Sequence, residues 1–413
     1  MEQENVGLYL GMDISEKYTM ISIYQQHMKE PQTISTIMGS ESYQIPTALA
    51  KKKGVGQWFF GREAKVRVKS GEALGVEDLL DKARTGEEVF LEHEKYAASD
   101  LLAIFLKRVL SLAGSAQAMM PLTKLVICLD KVSVEYMELF SAIMVKLGIE
   151  TDKLLLIDRR ESFYYYALSQ GPETYLHDVV MFDYTESDMV SCRLRRNMHT
   201  TPQVINLDQK NHGKLLDQKD GEFQKIAQDV IDGQVVSAVY LIGDGFDGDW
   251  MKASLQYLCH TRKVFVGKNL YSKGACYAGF IKDGKRDWPF VYIGDNELKL
   301  NLYLKVLVGN EMQFFTLITA GQSWFDEVGE CEVILDGTPE IEVWIQRPES
   351  REAHVELLEL TDMVERERRT SRLRITAEPI SDRKIKITIR DLGFGEIAPS
   401  SNRTWEHTVC LEE

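Results

Sequence analysis

The chain is poor in everything that staples a fold, anchors it to a membrane or marks a common active site. Its six cysteines, Cys128, Cys192, Cys259, Cys276, Cys331 and Cys410, are scattered over 413 residues without one CxxC pair. That spacing excludes a disulfide framework and fits a reducing compartment. Cys128 and Cys192 lie in apolar, strand-like runs, where a free thiol behaves as a small hydrophobe. No apolar run approaches the roughly 20 residues that a membrane span needs. The opening MEQENVGLYLGMDIS lacks the basic start and sustained apolar core of a secretory leader. Both absences predict a cytoplasmic protein with no membrane partner. Basic residues are outnumbered, 49 Lys and Arg against 63 Asp and Glu, for a formal net charge of −14. Such a chain lacks the basic footprint that nucleic acid or anionic lipid requires, so no nucleic-acid partner is expected, and the charge serves solubility. No GxxxxGK[ST] loop, HExxH or GxSxG occurs, and the eight histidines are dispersed. P-loop, zinc-protease and nucleophile-elbow chemistry therefore have no foothold.

What is present is ordinary globular material, 44% hydrophobic and 27% charged. At about 100–200 residues per domain the length suits two or three domains. Residues 6–14 and 19–24 predict a hairpin around Ser15-Glu16-Lys17. Ser99 is placed to cap a helix over 100–113 that stops at Gly114, and Ser133 a helix over 134–147 closed by Gly148. The continuous apolar runs 125–129 and 154–157 fit strands covered on both faces. Residues 178–184 and 189–196 predict a second hairpin around Thr185-Glu186-Ser187, and 197–222 read as polar and turn-rich. A strand over 238–242 ends in Gly243-Asp244-Gly245, and a helix follows over 250–259.

Near residue 281 the texture changes. Residues 283–289 read as a linker, and period-two alternation then takes over: Leu298, Leu300, Leu302 and Leu304, then Ile341, Val343 and Ile345, then Ile385, Ile387 and Ile389. Such repeated short strands predict a sandwich or barrel. The fold class is thus α/β over 1–285 and all-β over 286–413.

Four segments carry a family resemblance by their order. Gly11-Met12-Asp13-Ile14 is similar to the phosphate-1 turn G-I-D-L-G-T-T. Ile45-Pro46-Thr47-Ala48 and Gly61-Arg62-Glu63-Ala64-Lys65 are similar to a T-P-S segment and a G-x-x-A-K. Phe182-Asp183 stands where phosphate-2, F-D-L-G-G-G-T, would lie, and Leu241-Ile242-Gly243-Asp244-Gly245 resembles the adenosine motif L-V-G-G. Together they resemble the ATPase superfamily of actin and the seventy-kilodalton heat-shock chaperones. Asp391-Leu392-Gly393-Phe394-Gly395, with Pro399-Ser400-Ser401 and Trp405, reads like the signature of a divergent bacterial branch of it.

The resemblance implies a two-lobed actin-like ATPase fold followed by a β-sandwich like a chaperone substrate-binding domain, without a helical lid. It implies ATP or ADP with Mg2+ between the lobes. Gly11, Asp13, Lys17, Gly243 and Gly245 would bind the nucleotide, and Asp13 and Asp183 would orient hydrated magnesium. Lys65 and Asp183 would be catalytic if hydrolysis is retained. Phe315, Trp324 and Phe325, with Phe314, would meet a protein or peptide partner at the sandwich loops.

The sequence also departs from that pattern. Ser15-Glu16-Lys17 replaces Gly-Thr-Thr, and Tyr184-Thr185-Glu186-Ser187 replaces a run of three glycines. Losing two or three charge-assisted hydrogen bonds, at roughly 1.5–3 kcal/mol each, removes two or more decades of affinity. Asp13 and Asp183 read equally as turn caps, and Lys65 as a solvated helix lysine. Five arginines over 363–374 read as a charged hairpin or as a dock for an acidic partner. The functional expectation is a divergent chaperone-like protein with a degraded ATP pocket, a weak ATPase at most. A pseudo-ATPase scaffold is the alternative. A small-molecule kinase is a third reading that lacks a candidate base.

Overall fold

The computed structural model describes residues 7–37, 40–116, 122–185, 188–325 and 327–411. Val6, the expected start of the first strand, and Glu186 and Ser187 of the second turn lie outside the described residues. The chain is mixed α/β followed by a β-rich region, in two compact units. The first comprises Met1–Arg195 and Leu207–Trp288, the second Arg196–Asn206 and Pro289–Glu413. The segment 196–206 thus belongs with the second unit, through the parallel pairing of Gln203–Ile205 with Phe290–Tyr292. The turn-rich composition of 197–222 gives no sign of this; it conceals the strand Gln203–Asn211.

Two sheets of the first unit share one strand order. In one, Leu8–Ile14 forms an antiparallel hairpin with Tyr18–Tyr24 and runs parallel to Leu122–Leu129, which runs parallel to Leu154–Asp158. In the other, Asp178–Asp183 forms an antiparallel hairpin with Val190–Arg196 and runs parallel to Val236–Ile242, itself parallel to Lys263–Gly267. A helix follows the last parallel strand of each: Arg159–Leu168 and Leu270–Lys282. Each helix covers the other half's sheet. Phe163 and Tyr166 pack on Tyr240, while Tyr277 and Phe280 pack on Tyr24.

The two helices meet each other where side chains vanish. A Cβ on Gly274 would stand 2.1 Å from the Ser162 carbonyl oxygen, and one on Gly11 would stand 2.1 Å from that of Ser272. The Ser162 hydroxyl donates to the Tyr271 carbonyl at 2.7 Å, which holds the crossing in register. Glycine is used here for close backbone approach.

Other helices follow their local signals less evenly. Val134–Leu147 runs from Ser133 to Gly148, with Gly148 left-handed at φ 70°. The helix expected over 100–113 extends over Ala98–Ala116 and passes through Gly114. Packing of Leu102, Phe105, Leu106 and Val109, all buried, outweighs the glycine penalty of about 1 kcal/mol. The helix expected over 250–259 shortens to Ala253–Leu258.

In the second unit two four-stranded antiparallel sheets share one core. Their order is Glu311–Ile318, Asn301–Val308, Glu340–Gln346, Ala353–Glu359 in one and Gly329–Leu335, Ser371–Ser381, Lys384–Asp391, Thr404–Cys410 in the other. The alternating residues Leu302, Leu304, Val343, Ile345, Leu373, Ile375, Ile387 and Ile389 build that core. Asp391 is a structural hub. It takes two hydrogen bonds from Arg366 at 2.8 and 2.6 Å, and others from the Gly393 and Ser401 amides at 3.0 and 2.8 Å. Burial alone would raise its carboxyl, but Arg366 and Ser401 hold it well below the ordinary range. The arginine run is spent internally: Arg368 and Arg369 close on Asp336, and Arg374 on Glu332.

Two predictions follow from packing and charge. Gly274→Ala destabilises by about 1–3 kcal/mol through overpacking. Gly221→Ala, in the open helix Lys219–Ile231, is neutral or stabilising by up to about 1 kcal/mol. Urea midpoints compare the two. Arg366→Ala, by orphaning Asp391, costs about 3–5 kcal/mol, and equilibrium unfolding followed by tryptophan fluorescence reads it.

Candidate functional site

Four side chains of the first unit converge where the first strands of the two sheets end. Asp13 pairs laterally with Cys128, and Asp183 with Ile242, so each stands at the corresponding place in its sheet. Arg159 opens one of the two equivalent helices, and Tyr271 is the second residue of the other. Arg159 Nε lies 3.7 Å from Asp13 Oδ1, and its guanidinium lies over the Tyr271 ring at 5.2 Å. The Tyr271 hydroxyl donates to Asp183 Oδ2 at 2.5 Å. Asp183 Oδ1 accepts from the Thr185 amide at 2.8 Å and its hydroxyl at 2.5 Å. Asp183 thereby accepts hydrogen bonds from its own turn and from Tyr271.

Asp13 is only 4% exposed, and neither its Oδ1 nor Arg159 Nε has a hydrogen-bond partner. Their attraction is therefore Coulombic across a short gap. Burial pushes the Asp13 carboxyl up to about 6; Arg159 draws it down in part, while Asp183 and Asp130 push it up. Burial alone would lower Arg159, but Asp13, Tyr271 and Asp183 hold it above an ordinary arginine. The guanidinium is a permanent cation. Burial and then the Asp183 charge keep the Tyr271 phenol protonated, as its donor role requires.

The residues expected to grip a nucleotide are committed elsewhere. Gly11 lies inside its strand, closed over by Ser272 and Cys276. At Gly243 a Cβ would meet the Thr185 amide nitrogen at 2.5 Å; at Gly245 it would meet the Tyr184 ring at 2.2 Å. Both glycines make room for the second turn. Three amides at these turns have internal acceptors: Ser15 N donates to the Tyr18 carbonyl, Tyr184 N to that of Ile242, and Gly245 N to that of Tyr184. Glu16 receives the Leu80 and Asp81 amides at 3.3 and 2.5 Å, at the start of the helix Leu79–Thr85. Lys17 is exposed, and its carbonyl accepts from the Thr47 amide. Lys65 is exposed, with its ammonium over the Tyr18 ring at 5.6 Å. Among the described residues no ion pair or hydrogen bond joins Lys65 to either aspartate. Asp244 and Asp247 close on Lys268 at 2.7 and 2.5 Å. Among the described residues no group of three His, Cys, Asp or Glu side chains could hold a metal ion.

Of the expected site residues, then, Asp13 and Asp183 are linked through Arg159 and Tyr271, Gly243 and Gly245 pack against the turn beside Asp183, and Lys17 and Lys65 are exposed. Sequence reasoning missed Arg159 and Tyr271. The available signal was Arg159-Arg160, two cations directly after a buried apolar strand. In the second unit, Phe315 lies 42% exposed on an edge strand. Trp324 and Phe325 are half-buried and stacked at 4.0 Å, with Trp324 resting on the core. Among the described residues no helix is long and apolar enough to cross a membrane.

Asp13 supplies a pH test. An unfolded aspartate titrates near 3.9, so a folded value about two units higher means that the folded state holds the proton more tightly. The stability this group contributes is full below about pH 4, is lost as pH rises through about 6, and is constant above. The loss is roughly 3 kcal/mol. Asp13→Asn is expected to remove that step from a plot of urea midpoint against pH.

The model of the family described as "Family of unknown function (DUF5716) C-terminal" matches residues 30–295, and that of "Domain of unknown function (DUF8552)" matches residues 297–411. No curated protein matches the chain. The first match spans more than half of the sequence, and the chain belongs to that family.

Proposed function

We propose that this family member is an actin-like, two-lobed domain that has abandoned nucleotide chemistry and serves as a scaffold, with its β-rich unit as the arm that binds a protein partner. The repeated strand order supports the actin-like reading. Each sheet carries an aspartate at or next to the end of its first strand, and each sends a helix across to the other sheet.

One observation carries the loss of nucleotide chemistry: the cation that neutralises the aspartates is Arg159, a residue of the chain itself. Magnesium–ATP does not fit the residues present. Admitting it requires pulling Arg159 from Asp13, and breaking a buried pair in this way costs about 3–5 kcal/mol. Phosphate would then face Asp13, Asp130 and Asp183, at turns where the Ser15, Tyr184, Thr185 and Gly245 amides already have acceptors. A scaffold needs none of this. It needs two lobes locked together, and the Asp13–Arg159–Tyr271–Asp183 chain links strand ends and helix starts of both.

Thermal shift and calorimetry with millimolar ATP or ADP, with and without magnesium, test the reading. No change in Tm, no binding heat and no phosphate release above blank are expected. A ligand at about 100 times its Kd would add about 2.7 kcal/mol, so a Tm rise of several degrees with ATP refutes the scaffold reading and restores a binding pocket.

A further inference from the structure

The two solvent faces of the β-rich unit are built from opposite chemistry. On the sheet containing Ser371–Ser381, outward residues are charged and paired across strands. Arg374 meets Glu332 at 2.8 Å and Glu330 at 3.6 Å, and Lys386 meets Glu406 at 2.8 Å. On the sheet containing Asn301–Val308, the positions alternating with the buried Leu302, Leu304, Val343 and Ile345 include Tyr303, Leu307 and Trp344, together with Glu342 and with Lys305, whose ammonium lies over the Trp344 ring at 5.9 Å. Tyr303, Phe314 and Trp344 form a contiguous aromatic tract there. Phe314 meets Trp344 edge-on at 5.1 Å and Tyr303 at 6.2 Å. Phe314 is 56% exposed, and Met312 and Leu357 each 58%. Large apolar groups left this open in one contiguous tract mark an interaction surface.

The face is also polarised along its strands. At one end, beside the Asn301–Gln346 pair, lies a cavity of about 710 Å³. Asn197, Thr200, Gln346 and Tyr303 line it, and its wall carries Arg347 and Arg351 against the single carboxylate of Glu349. At the other end Glu340 pairs with Glu359, and Glu342 stands next outward along the strand; all three are exposed. Strands of seven or eight residues, at about 3.3 Å each, set these ends roughly 25 Å apart.

We propose that this face docks a protein segment that is apolar in its middle, bears a carboxylate for the cavity at one end, and carries Lys or Arg for the glutamates at the other. The inference rests on the reading of this unit as the binding arm, and not on the state of the nucleotide cleft. The aromatic tract supplies buried area, and the two charged ends set direction and exclude wrong partners. A second copy fits less well. The net charge of −14 opposes self-association, and the cavity calls for a projecting side chain that a flat sheet face does not offer. The surface is distinct from the loop pair Trp324 and Phe325.

The test uses the full chain and a fluorescein-labelled peptide of about nine residues, with glutamate at one end, leucine and phenylalanine in the middle and lysines at the other. Binding by anisotropy is expected. It should weaken by about tenfold or more in the double variant Phe314→Ser, Leu357→Ser. In Glu340→Gln, Glu342→Gln, Glu359→Gln it should weaken several-fold and lose part of its salt dependence. Because these side chains are exposed, an unchanged Tm is the check that each variant folds. Three outcomes overturn the proposal: no binding, equal binding of a peptide whose apolar residues are serine, or variants indistinguishable from the parent. A dimer in sedimentation that dissociates in the Phe314→Ser, Leu357→Ser variant overturns it in favour of a second copy. None of these results touches the nucleotide-free reading of the first unit, which ATP alone decides.

Discussion

The largely buried cation Arg159, its side chain 14% exposed, organises the paired strand ends of the first unit. Arg159 starts a helix of one half, faces Asp13 of the same half, and shares Tyr271 with Asp183 of the other. Removing two charges from water costs several kcal/mol per ion, and their attraction repays it only when the surroundings hold them in place. Here the repayment is incomplete, since Asp13 Oδ1 and Arg159 Nε lack hydrogen-bond partners and burial lifts the Asp13 carboxyl. Such a pair adds little to net stability. Its value is specificity within its own half, where it fixes the start of the Arg159–Leu168 helix against the strand that carries Asp13.

The close helix crossing makes that arrangement possible. Gly274 against Ser162, and Gly11 against Ser272, bring backbones so near that the first residues of both helices reach the strand ends together. The same constraint explains why the glycines of the first and last motif segments serve packing. A glycine that lets a ligand approach and a glycine that lets a helix approach look alike in sequence, and only the neighbouring atoms separate them.

The second unit applies a comparable logic with a different centre. Asp391 is held by Arg366 and by the amides of Gly393 and Ser401, so the Asp391–Gly395 motif forms a hydrogen-bonded corner. Both of its oxygens accept hydrogen bonds, and its carboxyl is depressed where that of Asp13 is raised. The contrast between these two buried aspartates is one of hydrogen-bond satisfaction: both have an arginine, but only Asp391 has donors in contact.

Much of this was legible from residues alone. Period-two alternation marked the strands of the second unit, apolar runs marked the parallel strands, and Ser133 and Gly148 marked both ends of one helix. These are local signals, because burial of one face imposes a period on the sequence. The two hairpins that carry Asp13 and Asp183 were legible too. What tertiary structure alone decided is what sits between them. Arg159 and Tyr271 are separated by more than a hundred residues from each other, and each from one of the aspartates, so no local period records their meeting. Likewise the assignment of 196–206 to the second unit, and the exposure of Phe314 beside the burial of Leu304, depend on which strands become neighbours. A sequence states which groups are available; the packing of distant segments determines which of them face water, which face each other, and therefore what chemistry is left to perform.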